Sequence, residues 1–284
     1  MIISFFRKIF ESPNVANILT IVASIFAIAG VSIVSTVGPL FTKTTAYNRN
    51  EQEEIIQKIN VTESKDYIDN ILGTPKTCTE LDIPLENGTS ENGQKAIYSN
   101  QFYIVICYFR QDNSLLGYFI INKDTGFNPI LYRGQKIFGK RICDIDLSYE
   151  KLISYYYGDR NDTSSYYISF SHHHLDTLDC FIGVGVSMFG DHTGKDLNKV
   201  NSYIKSISEN DNFKNIIYSD NELFGYLDRT TVSKFTELNK VKINTFANFK
   251  QNENIDLLEF FKREFNYKLA ITYSEYCYLN DNTY

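Results

Sequence analysis

Apolar and polar positions divide the chain into stretches of different period. From Asn14 to Phe41 no residue is charged, and Ile, Val, Ala, Leu and Phe fill most positions. A hydrocarbon core about 30 Å thick needs roughly 20 apolar residues in a helix, so this run is long enough to span a bilayer with some tilt. Arg7, Lys8 and Glu11 flank it on one side, Lys43 and Arg49 on the other. Two other readings compete: a cleaved secretory signal, for which Ala27-Ile28-Ala29-Gly30 imitates the cleavage site, and a buried helix of a globular core. The apolar run continues past that site through Val31, Ile33, Val34, Val37 and Leu40, which favours an anchor. Ahead of it, Ile2, Ile3, Phe5, Phe6, Ile9 and Phe10 interleave with Arg7 and Lys8, the pattern of an interfacial amphipathic segment over residues 1–13.

Residues 42–61 read as a stalk or linker, polar and Glu/Gln-rich from Asn48 to Ile59. Thr62 to Leu72 then takes helical spacing, with Tyr67, Ile68, Ile71 and Leu72 on one side, Thr62 as cap, Gly73 as terminator and Pro75 as stop. From about Ala96 the period becomes two. Gln101–Arg110 and Leu115–Asn122 predict a hairpin around Gln111-Asp112-Asn113-Ser114. Lys123-Asp124-Thr125-Gly126 predicts the next turn, before short strands at Ile130–Tyr132, Tyr166–Phe170 and Cys180–Met188. Beyond Gly190 the pattern is mixed: Leu197–Ile207, part of Glu222–Asn239 and Leu257–Phe265 predict helices, Thr245–Phe249 and Lys268–Tyr273 short strands. The expected fold class is α+β, with a single N-terminal transmembrane helix over residues 14–41 followed by a soluble domain over residues 62–284. That domain would hold an antiparallel sheet with packed helices and a helical C-terminal half from about residue 195.

Composition sharpens this only in part. The 284 residues carry 28 Lys and Arg against 34 Asp and Glu, a net charge of −6. Mild acidity argues against a protein that coats nucleic-acid backbone without regard to sequence. Hydrophobic residues at 43% exclude global disorder, because such a chain can offset its ordering entropy by burial. Cys78, Cys107, Cys143, Cys180 and Cys277 are odd in number and form no C-x-x-C pair, which favours a reducing, cytosolic location for the bulk of the chain. Lys and Arg are balanced across the two flanks of the apolar run, so the positive-inside bias gives no vote on orientation.

Within that run Thr20, Ser24, Ala27, Val31, Ser35 and Gly38 recur at spacings of three and four. A stripe of small or weakly polar groups lets helix backbones approach closely in lipid, and hydroxyls can bond across helices or line a narrow pore; small residues are also ordinary in any membrane helix. Further along, Ser171-His172-His173-His174-Leu175-Asp176 is the most conspicuous cluster, with His192 the remaining histidine. His172 and His174 would share one face of a strand, and with Asp176 or His192 they supply ligand types that suit Zn²⁺. The spacing matches no standard zinc motif, and histidine runs also occur in exposed turns. Cys180 could serve as a nucleophile beside a histidine, but it opens an apolar strand, where buried cysteine is an inert small hydrophobe. Gly185-Val186-Ser187-Met188-Phe189-Gly190 fails as a nucleophile elbow because Phe189 stands where Gly is required, and no phosphate-cradling glycine loop has the right spacing. No motif implies a cofactor. Aromatic and cationic residues do mix at Tyr156, Tyr167 and Arg160, and at Arg133 beside Tyr132 and Lys136, pairings that suit the bases and phosphates of a nucleotide or oligonucleotide. The alternative is a Tyr-rich sheet surface of ordinary strand composition.

The layout resembles an uncharacterised bacterial family with one N-terminal transmembrane helix, a short helix ending in a Leu-Gly-x-Pro turn and an aromatic sheet domain. The residues that carry the resemblance are Asn14 to Phe41, Leu72-Gly73-Thr74-Pro75, and Tyr155-Tyr156-Tyr157-Gly158 leading to Tyr166-Tyr167. It implies a membrane effector of anti-phage defence loci, placed in the bacterial inner membrane with its soluble domain cytosolic. Its expected partners are the lipid bilayer, further copies of itself, and a nucleotide, an oligonucleotide or a co-encoded protein as signal. Against this stand a passive membrane-tethered binding module and a membrane-anchored, metal-dependent hydrolase built on the histidine cluster.

Overall fold

A computed structural model of the chain describes residues 48–141, 144–145, 152–157, 166–175, 178–187, 190, 217–219, 222–226, 241–251 and 254–265. The expected transmembrane run and interfacial segment lie outside these residues. Two compact units divide at Glu51/Gln52. Of the first, only residues 48–51 are described, and they are helical.

In the second unit, which starts at Gln52, ten strands form one antiparallel sheet among the described residues. The strands are β1 (Thr77–Pro84), β2 (Ser90–Ser99), β3 (Tyr103–Phe109), β4 (Leu115–Asn122), β7 (Leu152–Tyr157), β8 (Tyr166–Leu175), β9 (Leu178–Ser187), β10 (Ile217–Ser219), β11 (Glu222–Tyr226) and β12 (Thr245–Lys250). A separate small hairpin joins β5 (Ile130–Tyr132) to β6 (Gln135–Lys136). Across the sheet the order is β1-β2-β3-β4-β12-β9-β8-β7-β11-β10. The four-strand meander β1–β4 therefore meets the later strands only through β12, which pairs with β4 on one side and β9 on the other. The fold is α+β, with an antiparallel sheet and few helices.

The sheet centre is covered on both faces, which explains why β3 and β4 are apolar without alternation and buried at every position. On one face, Val105, Cys107, Tyr118, Ile120, Ile182, Val184 and Phe246 pack with Ile56, Ile59, Val61 and Ile68 and with Phe127, Tyr132 and Phe138. On the other, Ile104, Ile106, Tyr108, Phe119, Phe170, Ala247 and Phe249 pack against Leu257, Phe260 and Phe261 of helix α2 (Leu257–Phe265). Aromatic rings dominate this second layer: Phe170 and Phe261 stack with centroids 4.5 Å apart, while Tyr108 meets Phe260 edge-on at 5.2 Å. Asp256 caps α2 by accepting the Glu259 N–H at 2.9 Å.

The structure departs from the sequence expectations in places and fixes others. Ile56, Ile59 and Val61, within the expected stalk of residues 42–61, are buried in the core of the unit that starts at Gln52. Helix α1 (Lys65–Leu72) is capped by Ser64, whose Oγ accepts from Tyr67 N at 3.3 Å, and not by Thr62. Gly73 ends it as expected, with φ of 83° and its N–H bonded to Asp69 O. Within Glu222–Asn239, expected to be helical in part, Glu222–Tyr226 is a strand in register with β7, and residues 227–239 lie outside the described residues. His172, His173 and His174 lie within β8, opposite Phe181, Cys180 and Asp179.

Candidate functional site

Where the β3–β4 turn meets the start of α1, the chain leaves an open cleft of about 250 Å³ lined by Val61, Thr62, Arg110, Asp112, Ser114, Leu115, Leu116 and Lys250. The turn is held rigidly. Arg110 N and Asn113 N bond Ser114 O and Arg110 O, each at 2.9 Å, and Asn113 takes a φ of 64° that asparagine tolerates better than most residues. Lys65 N bonds Asn113 O, and Leu115 N bonds Glu63 O, which ties the turn to the residues before α1.

Asp112 Oδ1 accepts from the Ser114 hydroxyl at 2.6 Å and from Ser114 N at 2.9 Å. The hydroxyl and then the backbone N–H of Ser114 hold its carboxyl below the usual carboxylate range, against an opposing effect of burial and with a lesser contribution from Arg110. Arg110 is forked onto Glu91, Nε to Oε1 at 2.7 Å and Nη2 to Oε2 at 2.8 Å, so its plane is fixed while its remaining N–H groups stay unclaimed by that pair. Lys250, the last residue of β12, has no ion-pair partner among the described residues. The lining thus offers a guanidinium already paired to Glu91, the Lys250 ammonium, the Asp112 carboxylate and two hydroxyls beside the apolar side chains of Val61, Leu115 and Leu116. That set presents both signs of charge to a small polar ligand.

A second feature lies on the β5–β6 hairpin. Arg133 and Gly134 form its two-residue turn with φ of 46° and 71°, the left-handed pair whose twist matches antiparallel strands. The Arg133 guanidinium lies 5.3 Å from the centroid of the Tyr132 ring. The hairpin base is clamped by Glu53, which accepts from Asn128 N at 2.7 Å and from Lys136 Nζ at 3.0 Å.

The residues singled out from sequence fall as follows. Thr20, Ser24, Ala27, Val31, Ser35 and Gly38 lie outside the described residues, as do Arg160, Asp176 and His192. Tyr156 and Tyr167 are direct partners across β7 and β8, and Tyr167 pairs in turn with Val186 of β9. Arg133 belongs to the separate hairpin, in a different sheet from those tyrosines. His172 and His174 occupy alternate positions of one strand, as the strand reading requires. Among the described residues no group of three His, Cys, Asp or Glu is placed to hold a metal ion. Cys180 is buried, and burial together with Asp179 pushes its thiol up to about 11, away from nucleophilic use near neutrality.

Sequence reading did not single out the cleft. Arg110 stood only as the end of a strand, Asp112 and Ser114 only as turn residues, and Thr62 only as a cap. Lys250 is 136 positions beyond Ser114 and reaches the cleft solely because β12 inserts beside β4. No local signal carries that. No protein-family model matches the chain, and neither a curated protein nor a solved structure is significantly similar to it. Among the described residues no helix is long and apolar enough to cross a membrane.

Proposed function

We propose that the chain is a single-pass, oligomeric membrane protein acting in a bacterial anti-phage response. Residues 14–41 anchor it in the inner membrane and gather copies through the stripe of Thr20, Ser24, Ala27, Val31, Ser35 and Gly38 into a helix bundle or gated pore. The sheet domain, on the cytosolic side, receives a nucleotide, nucleic-acid or protein signal. The observation that carries the reading is the uninterrupted charge-free run from Asn14 to Phe41, longer than a bilayer requires. The cleft beside the β3–β4 turn supports the sensing half, because it gathers charged groups of both signs and two hydroxyls beside apolar side chains.

The test is the mass of the detergent-solubilised full chain beside a chain starting at Asn48. A closed oligomer that requires residues 14–41 supports the bundle, and Ser24→Leu with Ala27→Leu should then reduce its size or its conductance while membrane insertion persists. A monomer in both forms refutes self-association through the run.

A further inference from the structure

We propose that strand β1 is a pairing edge for a second copy of the chain, joined antiparallel about a two-fold axis at Thr79. The inference rests on the oligomer reading above and adds a contact between sheet units to the one made by residues 14–41.

β1 is the outermost strand of the sheet, paired with β2 on one side and with no strand on the other among the described residues. Backbone bonding at its end fixes which peptide groups face outward. Leu85 N donates inward to Thr89 O, whereas on the outer side Pro84 O accepts from Asp256 N and Glu86 N donates to Asn254 O. Peptide groups alternate in direction along an antiparallel strand, so those of Cys78, Glu80 and Asp82 also face outward. Lys76, Cys78, Thr79, Glu80 and Asp82 are exposed, which leaves this stretch open to a partner strand.

Charged side chains on an edge ordinarily resist strand addition. Here they select one register. A two-fold axis at Glu80 would set that residue against its own copy. An axis at Cys78 would pair Lys76 with Glu80 but leave Asp82 opposite Thr74, before the strand begins. With the axis at Thr79, Lys76 lies opposite the second copy's Asp82, Thr77 opposite Leu81, and Cys78 opposite Glu80, so no two acidic groups face each other. Opposite charges directly across two strands stabilise the pair, and such self-complementarity is what an isologous contact requires. One strand edge is a small interface, so it forms between copies that the anchor already holds close.

The test uses the full chain in detergent with Cys78→Ser, Cys143→Ser and Cys277→Ser, while Cys107 and Cys180 are buried. Thr79→Cys is added and the thiols are oxidised with copper phenanthroline. Residues opposed in a non-hydrogen-bonded pair have Cα atoms about 4.5 Å apart, within disulfide reach. The covalent dimer should be at least fivefold more abundant than from Thr77→Cys, whose two copies would stand about 13 Å apart along the strands. Glu80→Pro removes an outward N–H that β2 does not use, so it should leave the fold intact and cut the crosslink at least fivefold. Lys76→Asp should cut it as well, and adding Asp82→Lys should restore it. Mass before oxidation separates the two readings. A closed oligomer with no crosslink at position 79, or with equal crosslinking at 77 and 79, overturns the edge pairing and leaves the oligomer reading standing. Crosslinking unmoved by Glu80→Pro and by the charge changes also overturns the pairing. A chain that is monomeric before oxidation overturns the oligomer reading, and the pairing that rests on it.

Discussion

Gly117 is a position where the central sheet leaves no room for a side chain. It lies in β4, opposite Phe249 of β12, and a Cβ built there would sit 2.1 Å from Phe249 Cδ1 and 2.4 Å from its Cγ. The ring cannot swing freely, because Phe249 is wholly buried and lies 5.2 Å from the Phe119 ring and 5.0 Å from Phe261, centroid to centroid. The backbone of Gly117 is ordinary extended strand, so Gly117→Ala perturbs packing rather than conformation. Overpacking of this kind costs about 1–3 kcal/mol, partly offset by about 0.5–1 kcal/mol from restricting the unfolded chain. A net loss of roughly 1–2 kcal/mol corresponds to a midpoint lower by about 2–8 °C for a unit of this size. Denaturant unfolding measures the loss directly. Phe249→Leu alone should cost on the order of 2 kcal/mol for its lost ring contacts. The double variant should cost less than the sum by about 1 kcal/mol, because the new methyl then occupies space the ring has left. Strict additivity, or a Gly117→Ala chain as stable as the parent, would refute the stated packing of Phe249 over β4.

Cysteine accessibility gives a second check. At pH 8 Cys78 should react with a thiol reagent in the folded chain, whereas Cys107 and Cys180, both buried, should react only after unfolding, as peptide mapping of the labelled protein will show. Asp112 supplies a pH dependence. Its carboxyl is held low, so the associated stability is present above the ordinary carboxylate pKa of about 3.9 and is lost as pH falls through the lower folded value. The stability difference between parent and Asp112→Asn should thus be flat from pH 5 upward and shrink below pH 4 in unfolding curves; a difference that grows on acidification would reverse the assignment. For the histidine cluster, metal analysis of purified full chain decides the hydrolase reading: stoichiometric Zn²⁺ lost in the His172→Ala, His174→Ala double variant would sustain it, and metal-free protein would end it.

What was legible in the sequence follows from how each element is buried. The β3–β4 hairpin could be read because Tyr103–Phe109 and Leu115–Asn122 are apolar runs flanking a turn cluster. β1 went unread because it is an edge strand with one exposed flank, and its residues Cys78, Thr79, Glu80 and Asp82 carry little apolar alternation. The buried role of Ile56, Ile59 and Val61 was masked by their polar neighbours, although Glu53 itself is nearly buried beneath the hairpin it clamps. Within Glu222–Tyr226, a short run fits either period, and pairing with β7 decides for strand. As for the cleft, its residues come from three separate stretches of chain, and a one-dimensional pattern cannot bring Lys250 to Arg110.

The seating of β12 between β4 and β9 has a consequence for how the protein is made. Until residue 250 has left the ribosome, β4 and β9 both end in unpaired edges, although each is almost entirely apolar and buried in the finished sheet. At synthesis rates of about 5–20 residues per second, β4 waits on the order of ten seconds or more for its partner. During that interval the nascent chain presents a ready template for strand addition, so its yield in the cell should depend on chaperone capacity and on the speed of translation downstream of Asn122. A chain stopped before Thr245 should accumulate as insoluble material even though every strand of the β1–β4 meander is present.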